Sequence, residues 1–432
     1  MRRICIDGHN LALQHGTGVA TYAKNLANNL TELGHDVSTL YGAPLPKSSS
    51  DAIREILFYD YLGGANLNRG GVKGVMRHVS EAVRAPFGWS AKSIPATGLV
   101  EKRRFSHRLP RSAEIFNAPN LFIVAREYFK RHKRFLRVQF ADPPDVMHWT
   151  YPVPIIVPGI PNIYTIHDLV PLRLPYTTLD NKRYYFRLIK KCTEVASRIC
   201  TVSEQSKADI EEFFRPAKGM IFNTYQAVDS HSSAELKSDK QAHDEVMGLY
   251  GLKPKSYFLF YGAIEPKKNV GRLIEAFLSI PLDSTLVIAG SMAWKSDEEM
   301  KLYNSLTSQD PRLKRRIKVL GYLPHPFLIS LIRSAKAVVF PSLYEGFGLP
   351  VLEAMELGIP TLCSREGSLR EVAGDATVLV DAYEVGSIAR GLESLDKNDE
   401  LRHELITAGK QQAAKFSKRI YQERLSELYR LA

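Results

Sequence analysis

The chain reads as an α/β protein of two doubly wound, parallel-sheet domains facing a central cleft, and three observations predict it. It has 432 residues, and domains commonly hold about 100 to 200, so two cores are expected. Apolar runs of strand length alternate with longer stretches that place apolar residues three and four apart, the order of βαβ units. That alternation breaks in the charged, Ser-rich sequence from Asp229 to His243, and a second series follows. Domains are therefore placed at residues 1–235 and 236–414, followed by a helix at 415–432. Ligands are expected where the carboxyl ends of the two sheets face each other.

The first domain opens with a strand predicted over Arg3 to Asp7 and the loop GHNLALQHGTG. A helix follows with Val19, Tyr22, Leu26, Leu30 and Leu33 on one face and Gly34 just past its end, then a strand over Val37 to Tyr41. From about residue 43 to residue 145 the pattern is irregular, with Pro and Gly scattered through it, and an insertion is expected. Order resumes with a strand over Asn162 to Ile166, a helix near Asn181 to Ser197, and a strand over Ile199 to Val202. That strand runs into Ser203, a residue suited to cap a helix. The second domain begins with a strand over Tyr257 to Tyr261, a loop at Gly262 and a helix carrying Leu273, Ile274, Phe277 and Leu278. Strands over Leu286 to Ala289, Ile317 to Leu320, Ala337 to Phe340, Thr361 to Cys363 and Thr377 to Val380 continue it, and Lys415 to Leu431 is predicted as the closing helix.

With 44% hydrophobic and 24% charged residues, the chain is neither disordered nor collagenous. Cys5, Cys192, Cys200 and Cys363 form no CxxC pair and have no histidine at zinc-finger spacing, so they are expected as buried thiols in a reducing cytoplasm. No stretch approaches the roughly 18 apolar residues of a membrane span, and a soluble or peripheral protein is expected. The net charge of +12 is local: between Arg69 and Arg137 lie 16 Lys or Arg against 4 Glu, which is the whole excess. Within that block LFIVAREYFKRHKRFLRV, residues 121–138, places Leu121, Phe122, Ala125, Tyr128, Phe129, His132 and Leu136 at helical spacing with Arg126, Lys130, Lys133, Arg134 and Arg137 between them. Such a basic amphipathic helix over 121–137 suits an anionic membrane surface; the alternative is a surface helix with a solvated basic face. No nucleic-acid-binding module accompanies the charge.

The most informative stretch is FPSLYEGFGLPVLEAMELGIP, residues 340–360. It reads as a buried strand, a glycine-rich loop, and a helix with Pro350 as its first residue and Gly358 just past its end. Gly346 and Gly348 let backbone approach a ligand, and the N–H groups at the helix start form an anion site. Glu345 in the loop and Glu353, placed on the first helical turn, could accept hydrogen bonds from hydroxyl pairs at the two ends of an elongated polar ligand. Equally, Glu353 could complement the helix dipole and Glu345 could be a solvated loop residue.

Glu345 and Glu353 around GFGLP, preceded by FPSLYE and followed by EAMELGIP, resemble the signature of retaining GT-B glycosyltransferases of family four. GAIEPKKNVGRLIEAF (262–277), LVIAGS (286–291), LGYLPHPFLISLIRSAKAVVFPS (320–342) and SLREVAGDATVLVDAYEV (368–385) agree in order and spacing. In the first half, TIHDLVPLRLP (165–175) and TVSEQSKADI (201–210) are similar to the bacterial mannosyl- and rhamnosyltransferase branch that serves O-antigen or exopolysaccharide synthesis. The resemblance implies two Rossmann-like domains, with the last helix crossing back to the first. It implies a sugar donor bound through its nucleotide diphosphate, no other cofactor and no metal; no DxD occurs in the chain.

By that resemblance, the catalytic group would be His167, Asp168, Lys268 and Glu345. Donor contacts would come from Gly16, Gly18, Gly262, Lys267, Lys268, Tyr322, Glu345, Gly346, Phe347, Gly348, Leu349 and Glu353. Glu345 would lie against the sugar hydroxyls, Glu353 against the ribose, and the two lysines against the diphosphate, where fixed positive charge must meet a departing anion. For His167 and Asp168 the alternative is a histidine satisfied within a turn and an aspartate capping the next segment. The implied partners are a nucleotide sugar, GDP-mannose or a related GDP-6-deoxyhexose, and a polyprenyl-diphosphate-linked or other lipid-linked glycan at the inner membrane face. Two departures stand out: Lys267 replaces the family's more frequent Arg, and FNTYQAVD at 222–229 replaces P-N-G-V-D. His15-Gly16-Thr17-Gly18 also resembles half of a dinucleotide fingerprint, yet Ser38 to Gly42 lacks the acid such an enzyme needs. A closing glycine loop is the better reading.

Overall fold

The computed structural model describes residues 1–13, 18–46, 50–65, 88–105, 109–110, 114–228, 237–310 and 313–432. The expectation for Gly16 lies outside them. Among the described residues the first sheet has eight strands: β1 (Arg3–Asp7), β2 (Asp36–Tyr41), β4 (Lys92–Ser93), β5 (Glu114–Asn117), β7 (Val146–Trp149), β9 (Asn162–Thr165), β10 (Arg198–Thr201) and β11 (Ile221–Asn223). Their order is β11-β10-β9-β7-β1-β2-β5-β4, parallel except for the last pair. A small sheet joins β3 (Trp89–Ser90), β6 (Leu136–Gln139) and β8 (Ile155–Ile156). The second domain carries β12 (Tyr257–Tyr261), β13 (Thr285–Ala289), β14 (Ile317–Leu320), β15 (Ala337–Phe340), β16 (Thr361–Ser364) and β17 (Val378–Val380) in the order β14-β13-β12-β15-β16-β17.

Both large sheets are covered on both faces, because successive strand residues feed different apolar clusters. Ile4 and Ile6 pack on one face of β1 and Cys5 on the other; Phe258 and Phe260 of β12 oppose Tyr257, Leu259 and Tyr261 in the same way. All four cysteines are buried and unbridged. Strand order reverses between β1 and β7 in the first sheet and between β12 and β15 in the second. Those reversals open the crevices where this architecture places ligands.

Several boundaries differ from the sequence reading. The stretch near 43–145 contributes β5, which pairs in parallel with β2, so part of it belongs to the main sheet. The basic helix ends at His132 because Lys133 adopts φ +56°. Leu136 is instead the first residue of β6, where Leu136 and Val138 are buried and Arg137 and Gln139 exposed. A helix, Asp239–Tyr250, begins inside the Ser-rich boundary segment, opened by a reciprocal Ser238–Gln241 capping box. The last helix starts at Lys418, and its Tyr421, Leu425, Leu428 and Tyr429 join one apolar cluster with Ile4, Tyr22 and Leu26 of the first domain. The Tyr429 hydroxyl lies 2.5 Å from His148 Nδ1 beneath the first sheet.

Candidate active site

The second sheet's reversal point gathers two loops. After β12 the chain turns at Gly262 (φ +139°) and passes close to Gly290 (φ +156°), where an added Cβ would lie 1.8 Å from the Gly262 carbonyl oxygen. A one-turn 3-10 helix, Pro266–Lys268, follows. Asn269 then donates through Nδ2 to the carbonyls of Pro341 (3.0 Å) and Ala382 (2.7 Å), tying this turn to the loop after β15. Lys267 O accepts the Leu343 N–H at 2.8 Å.

Lys268 Nζ consequently donates to Glu345 Oε1 at 2.7 Å and lies 4.8 Å from the Phe340 ring centroid. Both side chains are largely buried, 13% and 10% exposed, where an unpaired charge would be costly. Burial alone would raise the Glu345 carboxyl, but Lys268 and Lys267 outweigh it and hold it below the usual range. Burial would likewise drive a proton off Lys267, and Glu345, Asp168 and Glu265 reverse that, holding its ammonium well above the ordinary lysine value. Glu345 therefore presents an ionised carboxylate at neutral pH, with a charged Lys267 beside it.

Gly346 and Gly348 allow the loop's approach to its surroundings. An added Cβ at Gly346 would lie 2.5 Å from the His167 carbonyl oxygen and 3.1 Å from Asp168 Cβ, so the second domain's loop rests against the first domain's strand end. Gly348 adopts φ +107° and precedes the helix Leu349–Glu356. Leu349, and not Pro350, is that helix's first residue, and Glu353 falls on its second turn. Tyr261 OH lies 2.8 Å from Glu353 Oε2 and 2.9 Å from the Pro350 carbonyl, while His325 Nε2 approaches Glu353 Oε1 at 3.5 Å. That contact, outweighing burial, raises the His325 pKa.

On the first domain's side, His167 Nε2 lies 2.9 Å from the Thr150 carbonyl. A carbonyl only accepts, so Nε2 carries the hydrogen and Nδ1 keeps a lone pair. Burial lowers the His167 pKa despite that bond and nearby Asp168, so the ring is neutral. Asp168 Oδ1 accepts the Val170 N–H at 3.1 Å, at the start of the short helix Val170–Arg173. Tyr322 stands 65% exposed in the loop after β14, and Gly18 begins the helix Gly18–Glu32.

Two serines outside the sequence-predicted set hold the arrangement. Ser206 Oγ is 2.7 Å from the His167 carbonyl and 3.4 Å from the Gly346 carbonyl, bridging the domains. Ser368 Oγ is 2.9 Å from the Glu345 carbonyl and 2.8 Å from that of Phe347, fixing the glycine loop from behind. Ser368 opens the block SLREVAGD, and its place at the head of that block is the one signal the sequence offers for it. The site thus combines a carboxylate, two lysines, a helix N-terminus and a neutral imidazole, a set that can hold hydroxyls and stabilise a departing anion.

Residues 250–412 match the family described as Glycosyl transferases group 1, and residues 16–223 that described as Glycosyltransferase Family 4. The chain belongs to this glycosyltransferase family, and its fold is GT-B. It is 32% identical over 260 residues to the O-antigen chain mannosyltransferase B of Escherichia coli, covering 59% of this chain and 66% of that protein. Against a serotype-specific mannosyltransferase WbdA of Escherichia coli the identity is 29% over 273 residues, covering 62% of this chain and 33% of that one. The match thus spans about two thirds of the first relative and a third of the second. The structure is similar to sucrose-phosphate synthase from Thermosynechococcus elongatus at a TM-score of 0.66 and 16% identity, covering 100% of this chain and 98% of that one, which speaks to fold.

Proposed function

We propose that this glycosyltransferase moves mannose, or a related 6-deoxyhexose, from its GDP derivative onto a lipid-linked glycan, with retention of anomeric configuration and without a metal ion. The observation that carries this reading is the Lys268–Glu345 pair, held within the glycine loop that abuts His167. Glu345 would accept from the sugar's hydroxyls and Glu353 from the ribose. The diphosphate would meet Lys267, Lys268 and the start of the helix Leu349–Glu356, which supply the positive charge a cation would otherwise bring. The bond from the anomeric carbon to the phosphate oxygen breaks, and the acceptor oxygen bonds to that carbon from the same face. The acceptor's proton passes to the departing diphosphate, leaving His167 and Asp168 to position the sugar.

Mannose is favoured because both Escherichia coli relatives are named mannosyltransferases. The cytoplasmic membrane face is favoured because the helix Leu121–His132 carries an exposed basic face, and no helix among the described residues is long and apolar enough to cross a membrane. Incubation with GDP-mannose, UDP-glucose and UDP-N-acetylglucosamine plus a lipid-linked acceptor tests the donor. Turnover is expected with GDP-mannose, and the product's anomeric configuration by NMR tests retention. Exclusive use of a UDP-sugar would overturn the donor assignment, and binding without turnover would leave a sugar-nucleotide-binding protein.

A further inference from the structure

The first sheet's reversal point, between β1 and β7, opens into a groove of about 780 Å³. Its walls are the helices Leu121–His132 and Lys182–Val195, and the segment Tyr151 to Pro154 forms its floor. Among the described residues five cations line it, Arg126, Lys130, Lys133, Arg183 and Arg187, against Asp180 as the only carboxylate. Lys130 is engaged with Glu127 at 2.7 Å, whereas Arg126, Arg183 and Arg187 have no ion-pair partner among the described residues. Beside them stand apolar side chains exposed among the described residues, Ile123 at 48% and Leu179 at 72%.

The inner end of the groove meets the candidate active site. Tyr151 is half-buried there, and the buried Tyr185 beside it donates its hydroxyl to the Asp168 carbonyl at 2.9 Å. Tyr185 thus lines the groove and touches the candidate site at Asp168 through one hydrogen bond. His9, just past β1, packs on Phe122 at 4.4 Å between ring centroids and closes the groove's other side.

Unpaired guanidinium forks match phosphate oxygens in pairs. Guanidinium groups in a concave wall, with apolar residues beside them, suit a molecule carrying a diphosphate and a hydrocarbon tail better than they suit a flat bilayer. Arg131 and Arg134 on and after the same helix do not line the groove. We propose that this groove binds the acceptor: its diphosphate rests on Arg126, Arg183 and Arg187, its first isoprenoid unit lies over Ile123 and Leu179, and its glycan points toward Asp168. The assignment rests on the transferase reading above and adds where the acceptor's anion is recognised.

Geranyl diphosphate, geraniol and phosphatidylglycerol vesicles are the probes, titrated calorimetrically into the full chain with GDP at saturation to fill the donor's diphosphate site. Arg126→Gln with Arg183→Gln removes two groove charges; Arg131→Gln with Lys190→Gln removes two from the same helices outside it. Geranyl diphosphate is expected to bind the wild type and the second variant alike, to bind the first about tenfold or more weakly, and geraniol is expected not to bind. Equal affinity for both variants, or no binding to the wild type, overturns the proposal. So does loss of vesicle binding in the groove variant with geranyl diphosphate unaffected, which assigns the charge to the bilayer. Should GDP fail to bind while the arginine dependence persists, the donor reading falls and the groove stands; the reverse pattern keeps the donor and removes the groove.

Discussion

Glu371 of the second domain accepts the backbone N–H of Glu204 in the first at 2.9 Å, and its other carboxylate oxygen accepts that of Gln205 at 3.2 Å. These N–H groups begin the helix Glu204–Phe214, so one domain caps a helix of the other. The interdomain contact and the cap are then one interaction. Glu371→Ala should remove about 1 kcal/mol from closure, or about fivefold in donor affinity. Titration calorimetry with GDP-mannose reads this directly, and unchanged affinity would show that the contact is incidental to closing.

Gly346 faces the His167 carbonyl with no room for a side chain. Gly346→Ala must push the loop off the first domain by an ångström or more, and a displacement of that size costs about a hundredfold in catalysis. Circular dichroism should stay native while kcat/KM falls. Full activity would mean that the observed contact is absent during turnover.

Removing the Lys268 ammonium should lower kcat by about 10²- to 10³-fold, the usual cost of losing one electrostatic donor. Lys268→Ala also takes the hydrogen-bonded partner from the buried Glu345 carboxylate and leaves only Lys267 nearby, so stability should fall with activity. Adding Glu345→Gln should restore the melting temperature but not turnover. Recovery of both would reduce the lysine to a structural partner.

The raised pKa of His325, caused first by its hydrogen bond to Glu353, gives a signed pH dependence. A histidine held protonated by folding stabilises fully below its unfolded value of about 6.5 and loses that contribution as pH rises through the higher folded value. The stability difference between wild type and His325→Gln should therefore shrink as pH climbs from about 6 to about 8. Urea midpoints across that range test it, and a difference that grows with pH contradicts the pairing.

How much of this is legible in the sequence depends on what each residue faces. Strands such as Tyr257–Tyr261 and Ala337–Phe340 are buried on both sides, so unbroken apolar runs mark their ends to the residue. Glu114–Asn117 has one buried residue in four and hides among basic neighbours. The basic helix reads too long because Leu136 fits helical spacing and strand alternation equally, and only the left-handed turn at Lys133 separates the two. Lys268 and Glu345 are individually visible, but their pairing across 77 positions is not. Ser206 and Ser368 act through hydroxyls on carbonyls, which no spacing announces. The departure FNTYQAVD gains an account: Tyr225 adopts φ +57° and packs its ring near Phe347 and Phe416, with the Arg424 guanidinium 4.2 Å from its centroid.

The returning helix Lys418–Leu431 makes the two lobes share one interior. A polypeptide severed between residues 228 and 237 would leave Ile4, Tyr22 and Leu26 without the aromatic and leucine lid that only the far end of the chain supplies. The amino-terminal half on its own should be sticky and poorly folded, and adding the carboxyl-terminal half in trans should rescue it. The lobes are thus inseparable in folding.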